Sequence, residues 1–328
     1  MKRGKLAENA FKRSVLKQIK TKREEVVIGA GVGEDCAVLS LGENCLTAVT
    51  VDPVTWQGEH MVRFAVHGPV NDLAASGAEP VAVMVSALLP SDMEEAELRA
   101  MMAEAEAECA ALGIQAVGGH TEITDAVSRP ILTVCGIGKI ADSSSASVSR
   151  IRPGLDIVAS KWIGLGGTSI IARCRGGELA ARYPVRFIEE AKEFDRFLSV
   201  VPEAATAVKS GVCAMHDVTE GGIFGALWEM AEGAGVGLEI DLKKIPVKQE
   251  TIEICEFFGI NPYELASGGC LLMAADNGCR LVRALEARQI PAVLIGRTTE
   301  GRDRVVVNEG ERRFLEPPGP DELHKVIK

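Results

Sequence analysis

Several features that mark whole classes of protein are scarce or absent in these 328 residues. Aromatic residues make up only 4% of the chain, so stacking platforms for single-stranded nucleic acid are few. Acidic residues outnumber basic ones, 46 against 36, and the net charge of −10 argues against a nucleic-acid partner. The longest uncharged apolar stretch, residues 80–90, is about half a membrane span, and no signal-peptide pattern follows the N-terminal charges. We therefore expect a cytoplasmic protein with no nucleic-acid or membrane partner.

Common redox and catalytic motifs are missing as well. The nine cysteines form no CxxC pair and are odd in number, which favours reduced, buried thiols in an intracellular protein. No P-loop, HExxH, GxSxG or protein-kinase motif occurs. An apolar content of 47% and the length are nevertheless typical of a globular chain with two domains of ordinary size.

Helix-like and strand-like patterns alternate along both halves of the chain. Nine Lys and Arg interleaved with apolar residues predict a solvated amphipathic helix in residues 1–23, rather than a nucleic-acid or membrane arm. Ser91 and Glu94 form a capping-box pattern that predicts the start of a helix ending at Gly113. The other patterns predict helices over 60–77, 168–174, 187–198, 202–210, 222–233, 249–257 and 277–288, and strands over 26–28, 36–41, 45–51, 81–89, 114–117, 131–140, 156–160, 213–216, 237–240, 270–275, 293–296 and 304–307.

The domain organisation follows from two polar interruptions. Residues 143–147 form a serine-rich break, and the Pro-Gly turn at 152–154 marks the predicted boundary. We expect an N-terminal domain over residues 1–150 and a C-terminal domain over 151–328. Both are predicted to be α+β, with mostly antiparallel or mixed sheets.

A glycine-rich turn over residues 29–35 is the first motif with chemical potential. Gly29, Gly31 and Gly33 follow a predicted strand and would let backbone amides approach a phosphate. A second strand follows this turn, whereas dinucleotide fingerprints and P-loops lead into a helix. Taken alone, the turn is equally well interpreted as a flexible connection.

Acidic side chains recur at strand ends and inside one apolar helix. Asp35 follows the glycines, Asp52 ends a predicted strand, and Asn71 and Asp72 interrupt an apolar helical run. A buried charge is costly unless it is paired or bound to a cation. Mg²⁺ prefers a few carboxylates together with water and phosphate oxygens. Three carboxylates from separate elements therefore favour a metal–nucleotide site, although capping or turn roles stay open for each Asp alone.

Two polar, glycine-rich segments, 118–122 and 216–222, are predicted turns after strands. Each offers backbone amides, a hydroxyl and a titratable group, and each contains a histidine, His120 or His216, that is equally open to a structural interpretation. The candidate site residues in these two turns are Gly119, His120 and Thr121 in the first, and Asp217 and Thr219 in the second.

Taken in order, these motifs resemble the aminoimidazole ribonucleotide (AIR) synthetase-like superfamily of ATP-dependent enzymes. Residues 163–168 and 263–269 look most like the hydrogenase expression/formation proteins of the HypE type. The resemblance covers roughly residues 6–310. The segments that match the superfamily are 33–37, 51–52, 70–74 with 77–78, 118–121 and 217–222.

The resemblance implies a two-domain PurM-like α+β fold and a homodimer whose N-terminal sheets pair into a barrel. It implies ATP and Mg²⁺ as cofactors and an enzyme that phosphorylates an amide or carboxyl oxygen of a small-molecule or protein acceptor. Hydrogenase maturation, with a maturation factor as partner, is the implied setting. The implied site residues are the metal ligands Asp35, Asp52, Asp72 and Asp217, the cofactor-binding residues Gly29, Gly31, Gly33, Asn71, Gly119, Thr121 and Thr219, and the catalytic residues His120 and Asp217.

The sequence departs from the HypE pattern in three places. HypE-type proteins act on their own C-terminal Cys, whereas the last cysteine here is Cys279. His120 replaces an Asp, as in selenophosphate synthetases, but the reactive Cys of those enzymes has no counterpart before Cys36, which we interpret as a packed residue. Gly268 replaces an acidic residue. A nucleotide-binding paralogue without turnover, acting as scaffold or regulator, is therefore the alternative, and AIR synthetase proper is less favoured because the second-half motifs are HypE-like.

Overall fold

The computed structural model describes residues 7–42, 45–141 and 146–327, and two mixed sheets organise them. The elements up to residue 140 are α1 (Glu8–Ser14), β1 (Val26–Ile28), β2 (Ala37–Gly42), β3 (Cys45–Val54), α2 (Met61–Ala75), β4 (Glu79–Leu89), α3 (Glu95–Leu112), β5 (Gln115–Ile123) and β6 (Ile131–Ile140). Those after it are β7 (Asp156–Ser160), α4 (Leu165–Leu179), α5 (Val185–Lys192), α6 (Val201–Lys209), β8 (Ala214–Val218), α7 (Gly222–Ala234), β9 (Gly237–Asp241), α8 (Gln249–Phe258), β10 (Cys270–Ala275), α9 (Gly278–Glu286), β11 (Ala292–Thr299), β12 (Arg304–Asn308), β13 (Glu311–Phe314) and α10 (Leu323–Val326).

The first sheet has the order β1-β2-β3-β6-β4-β5, and only its β4–β5 pair is parallel. Helices α2 and α3 cover one face of the sheet, where Val70 of α2 and Val83 of β4 are fully buried. A Cβ at Gly136 would lie 3.0 Å from Leu73 Cδ1, so glycine there lets α2 lie close to β6. On the opposite face Val51 is 60% and Met84 43% exposed, and the described part of the chain leaves this apolar surface uncovered.

The second sheet has the order β13-β12-β9-β11-β7-β10-β8, with β9 and β12 as its parallel pair. Its strand β10 is buried along its whole length. Leu272 packs with residues of α7 on one face, while Met273 packs with residues of α6 and α9 on the other. Burial on both faces explains why residues 270–275 read as a continuous apolar run. The predicted α+β class with mixed sheets is confirmed.

Most predicted elements are confirmed, but the extent of the N-terminal helix and the start of α3 are wrong. Within the described part of the basic N-terminal segment, the α-helix covers only Glu8–Ser14, followed by a 3₁₀ turn at Leu16–Gln18. Helix α3 begins after Glu94, whose capping box pairs it with Glu97 instead of Ser91. The reason is a turn in which Met93 N donates to Pro90 O (3.1 Å), which delays the helix.

Further differences concern short elements and a segment outside the described ranges. Strand β13 and helix α10 were not predicted, since four residues are too few for a periodic pattern. Residues 143–145 of the predicted polar break lie outside the described residues. In the described part of the chain, no helix has both the length and the apolar character needed to cross a membrane. The two sheets lie on either side of the predicted domain boundary, which itself stays a prediction.

Candidate metal–nucleotide site

The four predicted metal ligands come from four separate elements. Asp35 precedes β2, Asp52 lies in β3, Asp72 in α2 and Asp217 in β8. In β3, alternate residues face α2, so Thr50 Oγ1 donates a hydrogen bond to Asp72 Oδ2 at 2.7 Å. Burial raises the pKa of Asp72 well above its usual value, and the charges of Asp217, Asp52 and Asp35 add to this effect. The fold therefore brings these four carboxyl groups together.

His216 adds a nitrogen to this cluster. Its Nδ1 lies 2.5 Å from Asp35 Oδ1, and its Nε2 lies 3.2 Å from Glu229 Oε2 in α7. Burial opposes the charged ring, but Asp35 and Glu229 outweigh it and raise the pKa of His216 to about 10. The ring is therefore an imidazolium at neutral pH, one positive charge among several carboxylates. Side-chain oxygen and nitrogen atoms of Asp35, His216 and Asp217 all lie within 4.8 Å of one another.

The chemistry of this donor set fits a divalent cation. Four carboxyl groups supply hard oxygen ligands, the type that Mg²⁺ prefers. Burial is the main cause of the raised pKa of Asp72, and repulsion by Asp217, Asp52 and Asp35 adds to it. A bound cation would offset that repulsion and favour the ionised carboxylates. A bound cation would therefore explain why these buried acidic residues lie so close together.

The glycine-rich loop closes one side of the cluster. At Gly33 the backbone has φ +77°, and a Cβ would lie 2.5 Å from Glu229 O, so only glycine lets the loop meet α7. A small pocket opens beside Asp35 between this loop and residues 146–148. Within it, Ser147 Oγ donates to Glu34 Oε1 at 2.7 Å, and burial raises the pKa of Glu34. The phosphate contacts assigned to Gly29, Gly31 and Gly33 stay predictions.

Cys36 follows Asp35 in the interior. Only 6% of its surface is exposed, and burial raises the pKa of its thiol, with Asp72 and Asp35 adding to the effect. A thiol of this kind is a poor nucleophile, in keeping with a packing role.

Asn71 lies beside Asp72 in α2 and points to the backbone that precedes α6. Its Nδ2 donates to Leu198 O at 2.8 Å, and its Oδ1 accepts from Val200 N at 3.0 Å. Both halves of the amide are therefore used to hold α2 against the second half of the chain. Its predicted contact with a cofactor stays a prediction.

The predicted turn over residues 118–122 is wrong, because these residues belong to strand β5. A Cβ at Gly119 would lie 1.8 Å from Val85 O, so glycine lets β5 approach its parallel partner β4. Thr121 and His120 are exposed, and His120 Nε2 lies 3.2 Å from Glu122 Oε2. The strand register turns His120 to the sheet face opposite α2. A single chain therefore does not bring His120 together with Asp217.

The second predicted turn is confirmed around Thr219. Asp217 is 4% exposed near the end of β8, and the backbone then turns into α7. Thr219 O accepts hydrogen bonds from Gly222 N at 3.2 Å and Ser267 N at 3.3 Å. This turn therefore sits between the carboxylate cluster and the loop that carries Ser267.

Glu229 is the site residue that sequence reasoning missed. It lies within an otherwise unremarkable amphipathic helix, and no local motif distinguishes it. The sequence leaves both a structural and a functional role open for His216, and its place next to Asp217 is the available signal. Both contacts of the His216 ring are to residues distant in sequence.

Comparison with known proteins decides the family. The chain matches the N-terminal domain of the AIR synthase related proteins over residues 33–140 and their C-terminal domain over residues 152–308. The chain belongs to the AIR synthase related family. Among curated relatives, a protein of Methanocaldococcus jannaschii named for hydrogenase expression/formation is 26% identical over 98% of this chain and 97% of its own length. The carbamoyl dehydratase HypE of Rhodobacter capsulatus is 31% identical over 68% of this chain and 64% of its own.

Solved structures share the fold at low identity. A HypE–HypF complex contains a chain with a TM-score of 0.75 and 20% identity, over 94% of this chain and all of that one. The hydrogenase maturation protein HypE in complex with ATP gives 0.72 and 20%, over 98% of this chain and 94% of that one. The two-domain PurM-like α+β fold is therefore confirmed.

Proposed function

We propose that this AIR synthase related protein is an ATP- and Mg²⁺-dependent enzyme of the HypE type that acts in hydrogenase maturation. It phosphorylates an amide or carboxyl oxygen of a small-molecule or protein acceptor. The observation that carries this proposal is the convergence of Asp35, Asp52, Asp72 and Asp217 from four elements of both halves of the chain. The names of the relatives and a related structure solved with ATP support it.

Each group has a role in this proposal. The four Asp residues hold Mg²⁺, which when bound neutralises charge on the phosphates during transfer. Amides of the loop at Gly29–Gly33, together with Thr219, contact the phosphates. Asp217 has a catalytic role besides ligation. The acceptor oxygen is by itself a poor leaving group, and once it is phosphorylated it can leave as phosphate, which is a good leaving group.

A second copy of the chain completes the site in this proposal. The uncovered face of the first sheet exposes Val51 and Met84, and its edge strand β5 exposes Val117 and Ile123. Apolar surface of this kind marks an interface. Two such sheets pair into a barrel, which places the catalytic His120, with Gly119 and Thr121, at the dimer interface. The related HypE–HypF complex supports a further maturation factor as partner, and the setting is cytoplasmic.

One observation favours a second candidate function. His120 is 66% exposed in its side chain and lies on the opposite sheet face from the carboxylates. If no partner brings it to a nucleotide, the protein binds ATP without turnover and acts as a scaffold or regulator of metal-centre assembly.

Calorimetric titration with ATP, with and without Mg²⁺, separates these functions when phosphate release is measured on the same sample. Mg²⁺-dependent binding with slow release of phosphate is expected for the enzyme in the absence of its acceptor. Binding with no release under any added amide or carboxylate would favour the scaffold. Absence of Mg²⁺-dependent binding would contradict both.

A further inference from the structure

Residues 315–327 follow β13 and run back across the second half of the chain. We call this segment the strap. At its start Leu315 N donates to Arg304 O at 2.8 Å. At its end, Leu323, Val326 and Ile327 are buried in one cluster with residues of α4, α5 and α8. The strap is thus part of the packed core and not a loose extension.

Asp321 is the polar centre of the strap and is 3% exposed. Its Oδ2 accepts a hydrogen bond from Gly221 N at 2.7 Å. Its Oδ1 accepts from Ala266 N at 3.2 Å and from Leu323 N at 2.7 Å. One carboxyl group therefore joins the strap to two turns that are 45 residues apart in sequence.

Both turns adjoin the proposed site. Gly221 ends the turn that follows Asp217 and lies at the start of α7 with φ +83°. Ala266 precedes Ser267, whose N–H donates to Thr219 O and whose Oγ accepts from Gly164 N at 2.7 Å. The turn at residues 218–222 is thus hydrogen-bonded on one side to Asp321 of the strap and on the other to Ser267 of the adjoining loop.

We propose that Asp321 is a positioning residue. Through it, the strap fixes the conformation of the turn at residues 218–222, so that Thr219 is placed to contact the nucleotide phosphates. This role rests on the proposed function, because it presumes that Thr219 and the neighbouring amides meet the nucleotide. Among the described residues, Asp321 accepts its hydrogen bonds from the backbone amides of Gly221, Ala266 and Leu323, so it acts through the turn.

The donor geometry makes Asp321→Asn a sharp test. A carboxylate offers acceptor oxygens to all three amides, whereas an Asn side chain must turn its NH₂ group towards one of these N–H donors. A turn held by one bond fewer samples more conformations before the nucleotide binds. Glu322→Gln is the matched control, because Glu322 is also buried in the strap but accepts from Asn261 N (3.2 Å), away from the turn.

The experiment measures Mg-ATP affinity by calorimetry and amide hydrogen exchange of residues 218–222 and 264–267 in the full-length protein. We expect Asp321→Asn to weaken binding about tenfold and to speed exchange in both turns. Glu322→Gln should leave affinity within about twofold and exchange in 218–222 unchanged. Thermal denaturation of each variant reports any general loss of stability.

The outcomes are distinct. Unchanged exchange in Asp321→Asn would overturn the role of the strap. Faster exchange with unchanged affinity would leave Asp321 a structural residue and overturn its role in positioning. An equal loss of affinity in both variants would also contradict it, because that pattern reports stability alone. Failure of the unmutated protein to bind Mg-ATP would instead contradict the proposed function, and the exchange data would still test the link between strap and turn.

Discussion

His216 Nδ1 lies 2.5 Å from Asp35 Oδ1, and this contact joins the two halves of the chain at the candidate site. Asp35 belongs to the loop before β2, whereas His216 lies in β8 of the second sheet. Glu229 holds the other ring nitrogen at 3.2 Å. The orientation of a proposed metal ligand in the first half is therefore set by two residues of the second half.

Substitution of Asp72 tests the metal assignment. We expect Asp72→Asn to weaken Mg-ATP binding at least tenfold, about 1.4 kcal/mol. Stability without Mg²⁺ should not fall, because the variant removes a buried carboxyl group that is repelled by Asp217, Asp52 and Asp35. Calorimetry and thermal denaturation measure the two effects. Asp92→Asn, at an exposed position, is the control. An unaltered affinity of the folded Asp72→Asn variant would contradict the assignment of Asp72 as a metal ligand.

Removal of the imidazolium tests the charge balance. His216→Gln leaves Asp35 and Glu229 without their buried cation, and breaking such a pair costs about 3–5 kcal/mol. We expect Tm to fall in the absence of Mg²⁺ and the loss to be smaller with Mg²⁺, since a divalent cation supplies positive charge to the same oxygens. Denaturation curves at several Mg²⁺ concentrations measure this. A loss of stability independent of Mg²⁺ would show that the ring and the cation do not share a site.

The uncovered sheet face predicts the oligomeric state. Met84→Glu and Val51→Glu place a charge on this apolar face, and burial of an unpaired charge at an interface is strongly unfavourable. Light scattering should report a dimer for the unmutated protein and a monomer for either variant. Val185→Glu is the control, because Val185 is 71% exposed on α5, away from this sheet. A dimer that persists in both sheet variants would rule out pairing through this face.

A half-buried acid, Glu108, predicts part of the pH dependence of stability. His67, aided by Arg63, lowers the pKa of Glu108 to about 2 against the opposing effect of burial. Because the folded protein binds this proton more weakly than the unfolded chain does, the stabilisation is complete above about pH 4.5 and is lost as pH falls towards 2. Urea denaturation between these pH values should show a shallower dependence for Glu108→Gln. Equal slopes in both proteins would contradict the ion pairs.

Local patterns were good predictors of the elements. The run at residues 270–275 predicts β10 with its observed bounds, because continuous apolar residues suit a strand that is buried on both faces. The start of α3 was misplaced because Ser91 and Glu94 have the spacing of a capping box, and only the turn at Pro90 decides between candidate caps.

Part of the candidate site was also predictable from local sequence patterns. Asp72 is conspicuous because a charged residue inside an apolar helix needs a partner. Glu229 has no such contrast with its neighbours, and its contact with His216 depends on how α7 packs against β8. The polar, glycine-rich sequence around His120 is typical of a turn, yet pairing with β4 makes this segment part of a strand.

Local sequence patterns are enough to predict the succession of helices and strands, the α+β class and the acidic residues able to hold a cation. These depend on hydrophobic periodicity and on the cost of burying charge, which act over a few residues. Three relationships emerge from the folded chain instead: His216 lies between Asp35 and Glu229, Asn71 hydrogen-bonds to the backbone at residues 198 and 200, and His120 faces away from the carboxylates. Those relationships depend on strand register and on packing between distant segments, so they cannot be predicted from the residues that are adjacent in sequence.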